Sequence, residues 1–360
     1  MRILFAASDT EAVGGIQQYN RKFLECLRVR GDEVRLVELK RGEMIKKIRF
    51  AAEVLAQSAR WKPDLVVCAH VNYAPLGFLA KKLFGRRYMV CTHGIDVWEV
   101  KSGFKRTALR EADLVTTVAE FTRDKIVSQL PETQERVYLL YNSVDGKRFV
   151  PKEKSAKLVE RHNLRGKKVI FTVARLLKQE GYKGYDRVIE SLPRVLETIP
   201  NAVYLLGGKG DDAERVKNLI RKFGLEKTVI MAGYIPEEEI VDYYNLADVF
   251  VMPSKAEGAP TVFMEALACG VPVIAGNKDG SGTPLMNGEL GLLINPDSVE
   301  EIASAIITIL KGEAKKELLD RDFLRRKVLE EFGLDSFSAR VDEALRRAVH
   351  GAFAVAGKVT

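Results

Sequence analysis

Short β-branched and apolar runs alternate with helix-period segments along almost the whole chain, which is the pattern of parallel sheets covered by helices on both faces. A strand buried on two sides needs a near-continuous apolar run, and the crossover to the next parallel strand needs a helix. In the first half, residues 2–7, 33–38, 65–69, 87–91, 114–118 and 137–141 read as strands. In the second half, residues 168–174, 202–207, 228–232, 249–252 and 272–275 repeat the pattern. Each block suffices for one doubly wound α/β domain, and 360 residues exceed what a single core usually supports.

Residues 142–165 between the blocks are polar and charged, with Pro151 followed by a Lys/Glu-rich stretch, the composition of a linker or domain edge. The expected division is therefore a first domain over 1–155, a second over 156–335, and a final segment over 336–360. A helix is expected over 337–355, packing back on the first domain. In the second half Val188, Ile189, Leu192, Val195, Leu196 and Ile199 form one apolar helix face, which Pro193 is expected to bend. Ser298 and Glu301 have capping-box spacing ahead of another helix.

With 46% hydrophobic and 29% charged residues the chain can bury a core and stay soluble, which excludes disordered and fibrous classes. Its longest apolar stretches, such as 267–276, fall short of the ~18 residues of a membrane span. The apolar run at the start is too short for a secretory signal, so a cytoplasmic location is expected. Cys26, Cys68, Cys91 and Cys269 show no C-x-x-C spacing and read as buried structural thiols. No histidines or cysteines stand at metal-ligand spacing, and no metal site is expected. The charge is uneven: 57 Lys and Arg against 49 Asp and Glu give +8, and residues 1–150, with 26 against 18, hold all of the excess. That basic half suits an anionic partner such as a phospholipid surface, or it is simply a solvated face; nothing in it has a nucleic-acid-binding signature.

Several segments carry candidate chemistry. Gly14-Gly15 closes the loop after the first strand and opens a helix, where backbone N–H groups can approach a phosphate. Residues 208–213 match G-x-G-x-x-A, but Asp211 and Asp212 place carboxylates where a pyrophosphate would sit, so the segment reads as a turn and helix cap. Arg175 leaves a strand end and Lys183-Gly184 follows in the same loop, two cations suited to a diphosphate. Glu257 lies in a glycine loop ahead of Ala259-Pro260-Thr261, and Glu265 falls one turn into an apolar helix ending at Gly270. A carboxylate there is costly unless it accepts good hydrogen bonds, such as those of vicinal sugar hydroxyls. His93 follows a strand on the carboxyl edge of the sheet, where ligands bind; His70, His162 and His350 have no comparable context.

Glu257 and Glu265 with seven residues between, the following Ala-Leu-Ala-Cys-Gly-Val-Pro-Val-Ile-Ala, and Arg175 with Lys183-Gly184 resemble the family 4 retaining glycosyltransferases of GT-B type. Gly14-Gly15, His93-Gly94 and Asn142-Ser143-Val144-Asp145 match in order, so the resemblance spans nearly the whole chain. The text from Tyr182 to Gly208 resembles the branch of bacterial lipid and polysaccharide mannosyltransferases. The resemblance implies two facing Rossmann-like domains, the second binding a nucleotide sugar and the first an acceptor. It implies that Arg175 and Lys183 hold the diphosphate, Glu265 the ribose hydroxyls and Glu257 the transferred sugar, with Gly258, Ala259, Pro260 and Thr261 lining the donor. His93 would meet the sugar near the reacting centre, and Gly14-Gly15 would admit a phosphate. It implies retention of anomeric configuration without metal or other cofactor, and a lipid-linked or glycan acceptor in cell-envelope synthesis, reached from the inner face of the membrane. Two positions depart from the family pattern: Ala174 stands where glycine is frequent, and Pro260 offers no N–H. A nucleotide-sugar epimerase, a sugar phosphorylase and a non-catalytic binding subunit on the same architecture remain the alternatives.

Overall fold

The computed structural model describes residues 1–12, 14–40, 44–101 and 103–351. It divides into two compact units, Met1–Asn142 with Asp335–Thr360, and Ser143–Leu334. The division falls at Asn142, earlier than the composition of 142–165 implies. Val144 N donates to Phe332 O at 2.8 Å, and Arg325 donates to Gly146 O at 2.7 Å and Phe149 O at 2.6 Å. These bonds satisfy a polar stretch that reads as linker and attach it to the second unit.

The first unit is built on six parallel strands, β1 (Arg2–Ser8), β2 (Glu33–Leu39), β3 (Leu65–Cys68), β4 (Arg87–Thr92), β5 (Leu114–Thr117) and β6 (Val137–Leu139), in the order β2-β1-β3-β4-β5-β6. Leu4, Val66, Val90 and Val115 project from the strands into a core with Phe50 and Val54 of the helix Met44–Arg60. The helix Leu334–His350 buries Phe337, Val341, Ala344, Leu345 and Ala348, a stripe at helical period. Its Phe337 ring meets Tyr19 edge-on at 5.5 Å, and Arg347 lies over Tyr138 at 4.9 Å. Residues 352–355 of the expected helix lie outside the described residues, as do Val13 in the first loop and Arg41 in the basic excess.

The second unit has β7 (Lys168–Val173), β8 (Ala202–Gly207), β9 (Val229–Gly233), β10 (Val249–Met252), β11 (Val273–Gly276) and β12 (Gly291–Ile294), all parallel, in the order β12-β11-β10-β7-β8-β9. Its core joins Ile170, Tyr204, Val249, Val251 and Ile274 to Val188, Ile189, Leu192, Ile302 and Ile306 from flanking helices. β12 escapes the sequence reading because it is a four-residue edge strand whose Leu292 and Leu293 are only half-buried. The helix Tyr185–Thr198 continues through Pro193. Ser298 Oγ accepts from Glu301 N at 3.1 Å, but Glu301 reaches back to Asn295 N rather than to Ser298 N, so the capping box is only half formed. Cys68, Cys91 and Cys269 are buried, and burial pushes their thiols up to about 12; Cys26, expected in the core, is half-buried. No helix among the described residues is long and apolar enough to cross a membrane.

Candidate active site

In the second sheet the winding starts at β7, runs outward through β8 and β9, and resumes at β10 on the other side. The crevice outside the carboxyl ends of β7 and β10 is therefore a topological switch point, the usual ligand position in an open α/β sheet. Arg175 leaves β7 and Glu257 follows β10, so chain topology alone brings their loops together. The β7 loop contains a 3-10 segment, Lys178–Lys183, kinked at Glu180, and ends at Gly184 with φ +75°. A Cβ at Gly184 would lie 2.3 Å from the carbonyl oxygen of Pro253, so only glycine permits this approach. Lys255 N donates to Tyr182 O at 2.9 Å and fastens the two loops.

The result is a cluster of four charges. Lys183 Nζ donates to Glu257 Oε1 at 2.5 Å and lies 3.9 Å from Glu180 Oε2. Arg175 Nη2 pairs with Glu180 Oε1. The Lys183 and Glu257 side chains are 13% and 17% exposed and Glu180 only 9%, whereas Arg175 reaches solvent at 70%. Tyr182 lies under this cluster, its phenol raised by burial and by the charges of Glu257 and Glu180. The structure thus brings Arg175, Lys183 and Glu257 together, and Glu180, hidden in a loop of Gly, Gln and Lys, completes the set.

Asp279, also absent from the sequence reading, fixes the Glu257 loop. Its Oδ2 accepts from Glu257 N at 2.8 Å and Ser254 Oγ at 2.7 Å, and its Oδ1 accepts from Ser281 N at 2.9 Å. Burial pushes the Asp279 carboxyl up, and the bonds from Ser281 and Ser254 pull it partly back. Gly280 N donates to Glu257 O at 2.8 Å, across a contact where a Cβ would lie 1.7 Å from Gly258 O. Gly258, Ala259 and Pro260 are buried and lead into the helix Thr261–Ala268, whose first turn holds no acidic residue. The helix starts without a side-chain cap, and a helix N-terminus of that kind favours an anion. One turn on, Glu265 Oε2 accepts from Tyr244 Oη at 2.7 Å. Tyr244 is fully buried between Phe149, Phe171 and Phe250, and burial, then the Glu265 charge, raises its phenol.

The fingerprint-like segment behaves as its charges imply. Asp212 accepts from Tyr185 Oη at 2.6 Å and from Arg215, whose guanidinium holds the carboxyl below its ordinary value. Asp211 accepts from Lys178 N at 2.9 Å. Neither side chain supplies the expected cap: the helix Ala213–Lys222 begins at Asp212 without a side-chain bond.

In the first unit the winding reverses between β1 and β3. Gly14 precedes the helix Gly15–Val29, whose first turn also lacks acidic residues. His93 follows β4, with Nε2 3.0 Å from Ala69 O. A carbonyl only accepts, so Nε2 carries a proton. His93 N donates to Asp96 Oδ1 at 3.0 Å, and the ring stands edge-on to Tyr19 at 5.1 Å. His70 has a context the sequence did not reveal: its ring centroid is 6.0 Å from His93, and its Nε2 lies 3.8 Å from Asp96 Oδ2. Burial pushes the His70 imidazole below its ordinary value, against the pull of Asp96.

Residues 154–322 match the family model "Glycosyl transferases group 1", and residues 13–148 match "Glycosyltransferase Family 4". The GDP-mannose-dependent alpha-(1-6)-phosphatidylinositol monomannoside mannosyltransferase of Mycolicibacterium smegmatis is 32% identical over 66% of this chain and 64% of its own length, just under two thirds. The protein of the same name from Mycobacterium tuberculosis H37Rv is 30% identical over 76% of this chain and 74% of its own. Among solved structures, Anabaena HepE in complex with UDP superposes with a TM-score of 0.77 at 20% identity, covering 96% of this chain and 99% of that one. The sucrose-phosphate synthase of Thermosynechococcus elongatus gives 0.78 at 21% identity, covering 96% and 98%. Two parallel six-stranded sheets, a charged cluster at the switch point of the second, and these likenesses over both halves agree: the chain belongs to the family 4 glycosyltransferases of GT-B type.

Proposed function

We propose that the protein is a retaining hexosyltransferase that moves mannose from GDP-mannose onto a lipid-linked or glycan acceptor of the cell envelope. The observation that carries this reading is the placement of Arg175, Lys183 and Glu257 in one cluster at the switch point. Departure of a nucleoside diphosphate leaves an oxocarbenium-like sugar and charge on the leaving phosphates, and cations already in place lower that barrier. Each is worth on the order of 2–4 kcal/mol. Lys183 and Arg175 supply this charge, assisted by the N–H groups that open the helix Thr261–Ala268, so no metal is required in this scheme. Glu265, whose Oε2 accepts from Tyr244, is the carboxylate assigned to the ribose hydroxyls. Glu257 turns from Lys183 to the sugar hydroxyls.

The choice of mannose is supported by the GDP-mannose dependence for which the mycobacterial relatives are named. Calorimetric titration with GDP-mannose, UDP-glucose, GDP and UDP tests it. Selective binding of the guanine ligands, lost in Lys183→Ala, is the expected result; selectivity for the uridine ligands would move the donor to a UDP-hexose. An anionic lipid surface is supported by the first turns of the helix Met44–Arg60. There Met44, Ile45 and Ile48 are exposed at 57–66% beside exposed Lys46, Lys47 and Arg49. We infer a peripheral position on the cytoplasmic leaflet, which this exposed basic and apolar face supports. Sedimentation with phosphatidylglycerol vesicles should retain it at low salt and phosphatidylcholine vesicles should not; equal binding to both would refute the electrostatic part.

A further inference from the structure

We propose that Glu180 is a built-in competitor for the nucleoside diphosphate, holding Arg175 while the site is empty and recapturing it as the product leaves. The inference rests on the reading of this cluster as the diphosphate site. Arg175 and Lys183 face Glu180 and Glu257, so the four charges cancel and the empty cluster presents no net positive charge to a diphosphate. Glu257 has an independent use in turning to sugar hydroxyls; no such use exists for Glu180. Its residue is 7% exposed, Oε1 is engaged by Arg175, and Oε2 has no hydrogen-bond partner while lying 3.9 Å from Lys183. A buried carboxylate oxygen without a donor costs stability rather than adding to it. Its position is explained if the carboxylate stands where a phosphate group goes, one oxygen against Arg175 and the other 3.9 Å from Lys183. Arg175, with 70% of its side chain exposed, is free to exchange one oxyanion for the other without disturbing the core. Glu180 therefore weakens retention of the nucleoside diphosphate and speeds its release after transfer.

The test compares wild type with Glu180→Gln, Glu180→Ala and Glu180→Asp, titrated with GDP and with UDP, with Lys183→Ala as the control on the site itself. The two neutral variants should bind the preferred diphosphate at least about fivefold tighter, with slower dissociation and a steeper loss of affinity with salt. Glu180→Asp, which keeps the charge, should remain near wild type. A residue that only supports the fold would give the opposite sign, or a change shared by all three variants. Unchanged or weaker binding in whichever neutral variant melts cooperatively, alongside a weakened Lys183→Ala, overturns the competitor role alone. Equal affinity of wild type and Lys183→Ala overturns the diphosphate site, and this inference with it.

Discussion

Replacing Tyr244 by Phe removes one oxygen atom and leaves the ring in its aromatic nest, with Phe171, Phe250 and Phe149 centroids at 5.6, 5.8 and 6.0 Å. What is lost is the donor to Glu265 Oε2 at 2.7 Å. Hydrogen bonds to charged groups contribute about 1.5–3 kcal/mol, and Glu265 is only half-buried, so water replaces part of the loss and about 1.5 kcal/mol is expected. For a unit of this size that is a fall of about 3–6 °C in melting temperature. The carboxylate also loses a bond that restrains its rotamer. Ordering it again on binding costs about 0.5–1.5 kcal/mol, so nucleoside diphosphate affinity should drop roughly two- to tenfold. The assay is a double-mutant cycle of Tyr244→Phe with Glu265→Gln, read by thermal melting and by calorimetric titration. A coupling of about 1 kcal/mol in each is expected. Effects that add within about 0.5 kcal/mol would show that Tyr244 does not position Glu265, and the argument would be refuted.

Gly184→Ala should destabilise the second unit by more than the 1–2 kcal/mol that left-handed backbone costs a residue with a side chain, because its Cβ also meets the Pro253 carbonyl; melting and diphosphate titration should both register it. Asp279→Ala leaves Glu257 N, Ser254 Oγ and Ser281 N without their acceptor and should cost about 2–3 kcal/mol, with a larger fall in turnover than in diphosphate affinity. His70 and His162 both have imidazoles depressed below the ordinary 6.5, chiefly by burial, so the unfolded chain binds these protons more readily than the folded one. Stability is therefore full above that value and declines as pH falls below it. Urea unfolding between about pH 7 and 5 should show this slope, and His162→Gln should flatten it.

The alternation of strand and helix patterns was sufficient to place eleven of the twelve strands among the described residues, because most of them are buried on both faces and read as apolar runs. The Glu257 and Glu265 spacing was equally legible, being local to one loop and one helix. Glu180, Asp279 and Tyr244 were not. Asp279 acts on Glu257 across twenty-two residues and Tyr244 on Glu265 across twenty-one, and nothing in the intervening sequence announces which strands become neighbours. His70 was missed for the same reason: its relation to His93 and Asp96 exists only because β3 and β4 pair. The two compact units part at Asn142 rather than at 155 because Arg325, far along the chain, collects the carbonyls of Gly146 and Phe149.

The chain leaves the first unit at Asn142 and returns to it at Asp335, which makes the second unit an insertion within the first. At about 5–20 residues per second, a ribosome takes roughly ten to forty seconds to make the insertion. Throughout that interval Tyr19 and Tyr138 lack the helix that will bring Phe337 and Arg347 against them. The unit that begins first is thus the one that finishes last, and its exposed face has to be shielded from other chains while it waits.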